Sequence, residues 1–247
     1  MLILWILLFS IVGSIGAIII ACAFLLFKEK IQEVLIPCLI AYASGTLLAG
    51  GLLGLLPHAL KQAPVQPILI TLLSGIIFFF ILEKLVIWRH CHDPECEVHK
   101  ATGPMILIGD AFHNLVDGVV IAAAFIASVP LGIASGLSII AHEIPQEVGD
   151  FGILLHSGYS KKKAFVLNIL SGLTTLPGAL IAYLALDMIH NYVPYVMAIS
   201  ASSFLYISLA DISPELQNQV GVRYTIRQLL LILSGVGTIA IVLQFHP

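Results

Sequence analysis

Eight stretches of this chain are each apolar over about 20 residues or more, the length an α-helix needs to cross a bilayer. They fall near 2–27, 34–57, 66–88, 104–127, 130–157, 163–189, 193–216 and 226–245, with short connections between them. Hydrocarbon offers no water to the backbone, so each segment must satisfy its own N–H and C=O groups. Strands of a membrane barrel would alternate in polarity over about ten residues, whereas these runs are continuous. An all-α polytopic membrane protein with eight transmembrane helices is therefore expected, residues 1–247 forming a single transmembrane domain. Only 10% of the residues are charged, against about 25% in a soluble domain. The first segment lacks a basic leading region and is longer than the apolar part of a signal peptide, so it reads as a retained span.

Basic residues set the expected orientation. With the N-terminus outside, the inner connections hold Lys28, Lys30, Arg89, Lys100, Lys161, Lys162, Lys163, Arg223 and Arg227, while the outer side holds Lys61 alone. Lys84 lies near the inner end of the third segment and can snorkel inward. Both termini are expected outside. Cys22 and Cys38 lie in apolar segments and read as small core residues.

The fourth and fifth segments carry most of the polar chemistry, leaving three segments on either side. This 3+2+3 plan predicts an inverted repeat, a common arrangement in carriers. The second segment ends Leu56-Pro57-His58-Ala59-Leu60 and the seventh Ser213-Pro214-Glu215-Leu216, a weak echo of one another. Gly45, Ala49, Gly50, Gly51 and Gly54 suit either dense packing within the bundle or a homodimer face, and packing is the simpler use.

At about 100° per residue, Asp110, His113, Asn114 and Asp117 fall within an arc of about 100°, and His142, Glu143, Gln146, Glu147 and Asp150 within about 140°. Two such stripes facing each other make a cage of imidazole, carboxylate and amide groups. No Lys or Arg lies in either segment, so the buried carboxylates require protons or a cation. Imidazole suits zinc, copper, iron or nickel, and carboxylates suit harder ions; the mixture points to a borderline divalent metal held loosely enough to leave again. A polar network locking helices together would explain one such residue. It does not explain nine on two faces with no basic partner. Pro145, inside the second stripe, removes a backbone donor and frees carbonyl groups beside the cage.

An enzymatic alternative, a metal-dependent intramembrane protease, rests on His142-Glu143, which opens the zinc-protease signature on a helix. The fifth position of that signature is Gln146, preceded by Pro145, so the second His is missing.

The fourth segment reads DAFHNLVDG and the fifth HEIPQEVGDFGILLHSGYS. The first resembles the His-Asn-x-x-Asp-Gly motif of the ZIP (Zrt/Irt-like) family of metal transporters. The second is similar to the His-Glu-x-Pro-His-Glu signature of one zinc-transporting subfamily and its Val-Gly-Asp-Phe continuation. The seventh segment's FLYISLADISPEL fits the same family, so the resemblance covers nearly the whole chain. It implies an eight-helix carrier with a paired metal site between the fourth and fifth helices. By motif position His113, Asp117, His142 and Gln146 would line one metal position, Asn114 and Glu143 the neighbouring one, with Asp117 bridging. The family moves zinc, iron, manganese or cadmium toward the cytosol, many members by sliding one helix group against another. Gln146 departs from the pattern by replacing the second His, and its weaker, harder amide oxygen would shift preference from zinc toward iron or manganese unless Glu147 compensates.

Asp110, Asp150, Asn168, His58, Asp211 and Glu215 are further candidates for the transport pathway, each also explained by local solvation or structure. The inner connection at about 89–103 holds His90, Cys91, His92, Cys96 and His99, a density that suggests capture of incoming metal. The expected function is thus transport of Zn2+ or a related divalent metal, with no cofactor and no nucleic-acid partner. A bacterial inner membrane is the expected location.

Overall fold

The computed structural model describes residues 1–88, 98–188, 192–217 and 220–244. Among the described residues the chain forms eight helical rods and no strand. The first runs Leu2–Ile11, a π turn at Val12–Gly16, then Ala17–Phe24. The second runs Glu29–Ala49, a π turn at Gly50–Leu55, then Leu56–Gln62. The third is Val65–Trp88, the fourth Val98–Ala127 and the fifth Val129–His156. The sixth is divided into Lys161–Gly172 and Thr175–Met188; the seventh runs Val193–Tyr206, a π turn at Ile207–Ile212, then Ser213–Gln217; the eighth is Val222–Gln244.

Seven of these rods are long and apolar enough to cross a membrane. The other, the fifth, has 28 residues, but the polar stripe from His142 to Asp150 dilutes its apolar character. The chain is an all-α polytopic membrane protein. Its third and eighth helices turn Ile70, Leu73, Ile77, Leu230 and Ile241 outward, as helices bordering lipid do. The fourth helix starts at Val98 rather than after Gly103, so His99 belongs to its first turn. His90, Cys91, His92 and Cys96 lie outside the described residues.

Prolines accompany the deformations of the second, sixth and seventh rods, whereas the π turn at Val12–Gly16 has no proline near it. Pro57 and Pro214 each follow a π turn by two residues, and the residue just before each proline makes an i to i−5 bond: Leu56 N–H to the Gly51 carbonyl, Ser213 N–H to the Ser208 carbonyl. A proline donates no hydrogen bond and its ring presses on the carbonyl four residues back, so widening the turn before it relieves the clash. The sixth helix breaks at Leu173 and Thr174, four and three residues before Pro177. The fifth stays α-helical through Pro145.

Two pairs of glycines bring helices into backbone contact. A Cβ on Gly118 would lie 2.0 Å from the Thr175 carbonyl oxygen, and one on Gly178 2.1 Å from that of Leu115, which locks the fourth helix against the sixth. Gly45 and Gly235 do the same for the second and eighth, at 2.1 Å from the Ile232 carbonyl and 2.4 Å from that of Tyr42. Gly50, Gly51 and Gly54 abut Ser138 and Phe204, Ala201, and Leu131. The small residues of the second helix therefore pack within the bundle.

Candidate metal site

His113 lies near the middle of the 30-residue fourth helix and His142 near the middle of the 28-residue fifth. Their Nε2 atoms are 3.0 Å apart. Asp117, one turn after His113, and Glu143, beside His142, complete a quartet. His142 Nε2 is 3.3 Å from Asp117 Oδ2 and 3.6 Å from Glu143 Oε1; His113 Nε2 is 3.7 Å and 3.4 Å from the same two atoms. A tetrahedral zinc with ligands at about 2.0–2.1 Å has ligand-to-ligand edges of about 3.3–3.4 Å. The measured edges bracket that value, so the four side chains already stand near the corners such an ion requires.

The chemistry of the donors agrees. Both oxygens of Asp117, Glu143 and Glu147 are buried and accept no hydrogen bond among the described residues. Buried polar groups are normally satisfied, and an uncompensated buried carboxylate costs several kcal/mol. No Lys or Arg occurs between residues 101 and 160 to neutralise them. The His142 Nδ1 lies 3.0 Å from the Ser138 carbonyl. A carbonyl only accepts, so Nδ1 carries the hydrogen and Nε2 presents its lone pair to the quartet, the usual support of a metal-binding histidine.

A second group adjoins the first. Asp110, Glu143 and Glu147 bring one carboxylate oxygen each within 4.8 Å of one another. Glu143, rather than Asp117, is common to both groups. Asp110 is held by donors from three helices: Asn114 Nδ2 at 3.0 Å, Gln146 Nε2 at 3.1 Å and the Ser171 hydroxyl. Asn114 in turn accepts from the Thr175 hydroxyl at 2.9 Å. The break in the sixth helix makes this possible, because Thr174 and Thr175 at its lip reach the Ala111 carbonyl and Asn114 of the fourth helix. Ser138, Ser171 and Thr175 carry no spacing signal in the sequence, since their bonds join helices that are distant along the chain.

The remaining candidates are dispersed. Gln146 is turned to Asp110 and not to the quartet that motif position gave it. Asp150 lies one turn beyond Gln146, toward the 157–160 connection, and Asn168 is fully buried with neither amide atom hydrogen-bonded among the described residues. His58 follows the π turn of the second helix, its Nδ1 3.3 Å from the Gly54 carbonyl, and is in neither group. Asp211 sits in the π turn of the seventh helix and Glu215 in the helix after it.

Access to the quartet is uneven. Toward the turn at Ser128 the fourth and fifth helices are sealed by Val120, Ile121, Ala124, Phe125, Leu131 and Ile139, all essentially without exposure. Toward the 157–160 connection, the His113 side chain is 19% exposed, Gln146 and Asp150 are half-buried and Gly149 is exposed. A Cβ on Gly149 or Gly152 would meet no atom within 4 Å. Exposure is thus greater on the 157–160 side of the quartet than on the Ser128 side.

The sequence profile of the family described as "ZIP Zinc transporter" matches residues 88–243. Among curated proteins, "Zinc transporter ZIP10" of Danio rerio is 40% identical over 112 residues, 45% of this chain and 13% of that protein. "Zinc transporter ZIP4" of Mus musculus is 40% identical over 133 residues, 54% of this chain and 20% of that protein. "Zinc transporter foi" of Drosophila melanogaster is 34% identical over 156 residues, 63% of this chain and 22% of that protein. The chain thus matches a quarter or less of the length of each of these relatives.

Proposed function

Because the chain belongs to the ZIP zinc transporter family, we propose that it carries a divalent transition metal, zinc foremost, across the membrane toward the cytosol. The observation that carries this reading is the quartet of His113, Asp117, His142 and Glu143, with donor spacings near tetrahedral edges and carboxylates that accept no hydrogen bond among the described residues. The ion is cargo. It exchanges water for two imidazoles and two carboxylates, a set that favours zinc and cadmium without the grip of a closed thiolate site. Asp110 and Glu147, with Asn114 and Gln146 around them, form the next position on the more exposed side, and Glu143 is shared between the two. Passing the ion from one oxygen-rich group to the next lets it leave in small steps, and Asp150 continues the series.

Both termini lie outside in this reading, and the fifth helix crosses with the other seven. The Lys and Arg distribution supports that orientation, which makes the more exposed side of the site the cytosolic one. The inverted repeat is supported by the matched π turns before Pro57 and Pro214 in the second and seventh helices. The Cys and His set of the inner connection would receive the released ion. A protease reading has no support: Gln146, where its second His would stand, donates to Asp110.

The test is uptake of zinc, iron, manganese and cadmium into proteoliposomes by the wild type and by Gln146→His. Zinc or cadmium uptake by the wild type is expected. Gln146→His is expected to raise zinc uptake relative to manganese by about tenfold, since an added imidazole favours the softer ion. Absence of flux for all four metals would overturn the transport reading.

A further inference from the structure

The break in the sixth helix leaves one buried hydroxyl between two acceptors. Thr175 Oγ1 lies 2.8 Å from the Gly172 carbonyl oxygen and 2.9 Å from Asn114 Oδ1. Across the break the Leu176 N–H, which an unbroken helix would give to Gly172, bonds to the Leu173 carbonyl at 3.2 Å. Thr175 and Asn114 are each only 1% exposed. A threonine hydroxyl donates one hydrogen and accepts through its lone pairs, so it cannot donate to both oxygens at once.

The other end of the Asn114 amide faces acceptors. Its Nδ2 donates to Asp110 Oδ1 at 3.0 Å and to the Asp110 backbone carbonyl at 3.2 Å. Such partners are what decide which way a side-chain amide points. Turned by 180°, the amide would give its NH2 to the Thr175 oxygen and release the Thr175 hydrogen to Gly172, so both bonds on that side would be made. Its oxygen would then stand where Nδ2 stands, 3.0 Å from a carboxylate oxygen and 3.2 Å from a carbonyl oxygen. Facing oxygens with no hydrogen between them require a cation. Adjacent ligands at about 2.1 Å on a six-coordinate divalent ion are about 3.0 Å apart. Gln146 Nε2, at 3.1 Å, and the Ser171 hydroxyl hold the Asp110 carboxylate in either arrangement.

We propose that Thr175 is a positioning residue for the metal position at Asp110: its hydroxyl donates to Asn114 while the position is empty and accepts from Asn114 when a divalent cation is there, so that the amide turns its oxygen to the ion. On the metal reading of the group of Asp110, Glu143 and Glu147, on which this role rests, the two arrangements ease release. When the ion leaves, the amide NH2 takes its place on Asp110, and the buried carboxylate keeps a donor that it would otherwise lose. Valine has nearly the shape of threonine and can neither donate nor accept there, whereas serine can do both.

The test titrates zinc alone into purified full-length protein by calorimetry. The wild type is expected to bind two ions, the tighter at the quartet with its two imidazoles. Thr175→Val should weaken the second event by about tenfold or more, the range for loss of a group that orients a ligand, and leave the first unchanged. Thr175→Ser should behave as the wild type. If Thr175→Val does not fold, wild-type protein with isotope-labelled asparagine reads the same turn by magnetic resonance. The Asn114 NH2 signals, identified by their absence in Asn114→Asp, should shift as the second ion binds. A single binding event in the wild type, an unchanged second event in Thr175→Val, an equal loss in Thr175→Ser, or Asn114 signals that stay fixed would overturn the proposal. Binding needs no ion flux, so two binding events with the expected Thr175 dependence but no uptake would sink the transport reading alone.

Discussion

Replacing His142 with Ala lowers zinc uptake into proteoliposomes by about two orders of magnitude or more, while the protein still purifies as a folded species. The size of the effect follows from the geometry. His142 is the quartet member oriented by the Ser138 carbonyl, and it stands 3.0–3.6 Å from the other three. Loss of a group that merely orients a ligand typically costs 10–100-fold in metal affinity, and loss of the ligand itself costs at least as much. Zinc binding by calorimetry on the purified variant separates the two ways uptake can fail. A variant that binds zinc as tightly as the wild type and transports it at the same rate would remove the quartet from the pathway.

Gly118→Val is expected to do comparable damage without touching a ligand. Its side chain would start 2.0 Å from the Thr175 carbonyl oxygen and 2.7 Å from the Ala179 nitrogen, and neither is the end of a flexible side chain that can swing aside. The fourth and sixth helices must then separate, at a cost of about 3 kcal/mol or more on the scale of overpacked cores. Because Asp117 precedes Gly118 and Thr175 holds Asn114, the separation also spreads the site. Thermal unfolding in detergent should show a lower midpoint, and uptake should fall with it. Gly237→Ala, where the added Cβ meets nothing within 4 Å, is the matched control. It should leave the midpoint unchanged or raise it slightly, since glycine in a helix interior costs about 0.5–1 kcal/mol relative to alanine. Equal midpoints for Gly118→Val and the control would refute the close crossing.

The Asp-Gly pair at 117 and 118 shows how far sequence reading extends. Periodicity places Asp117 on the polar face, because side-chain direction along a helix follows from spacing alone. The adjacent glycine gains its meaning only from a partner about 60 residues away, Gly178 and the Thr175 carbonyl. The small residues of the second helix were ambiguous between internal packing and a dimer face for the same reason. Contact with Ile232, Phe204, Ala201 and Leu131 settles their use inside the bundle. Gln146 is a third case: the wheel puts it on the ligand stripe, yet its amide is drawn to Asp110, whose position depends on Ser171 from another helix.

Local pattern in the chain was enough for the membrane character, for the helical rods to within about six residues, and for the polar stripes on the fourth and fifth helices. These follow from local rules, namely the hydrocarbon's demand that backbone groups pair within a segment and the fixed angle between successive side chains. Which side chains converge depends on how the helices pack. It put Glu143 in both groups, turned Gln146 toward Asp110, broke the sixth helix where Thr175 reaches Asn114 and closed one end of the site. Each of these depends on how closely two helices approach and in what register. That is set by glycine contacts and side-chain volumes on both partners, which no single segment records.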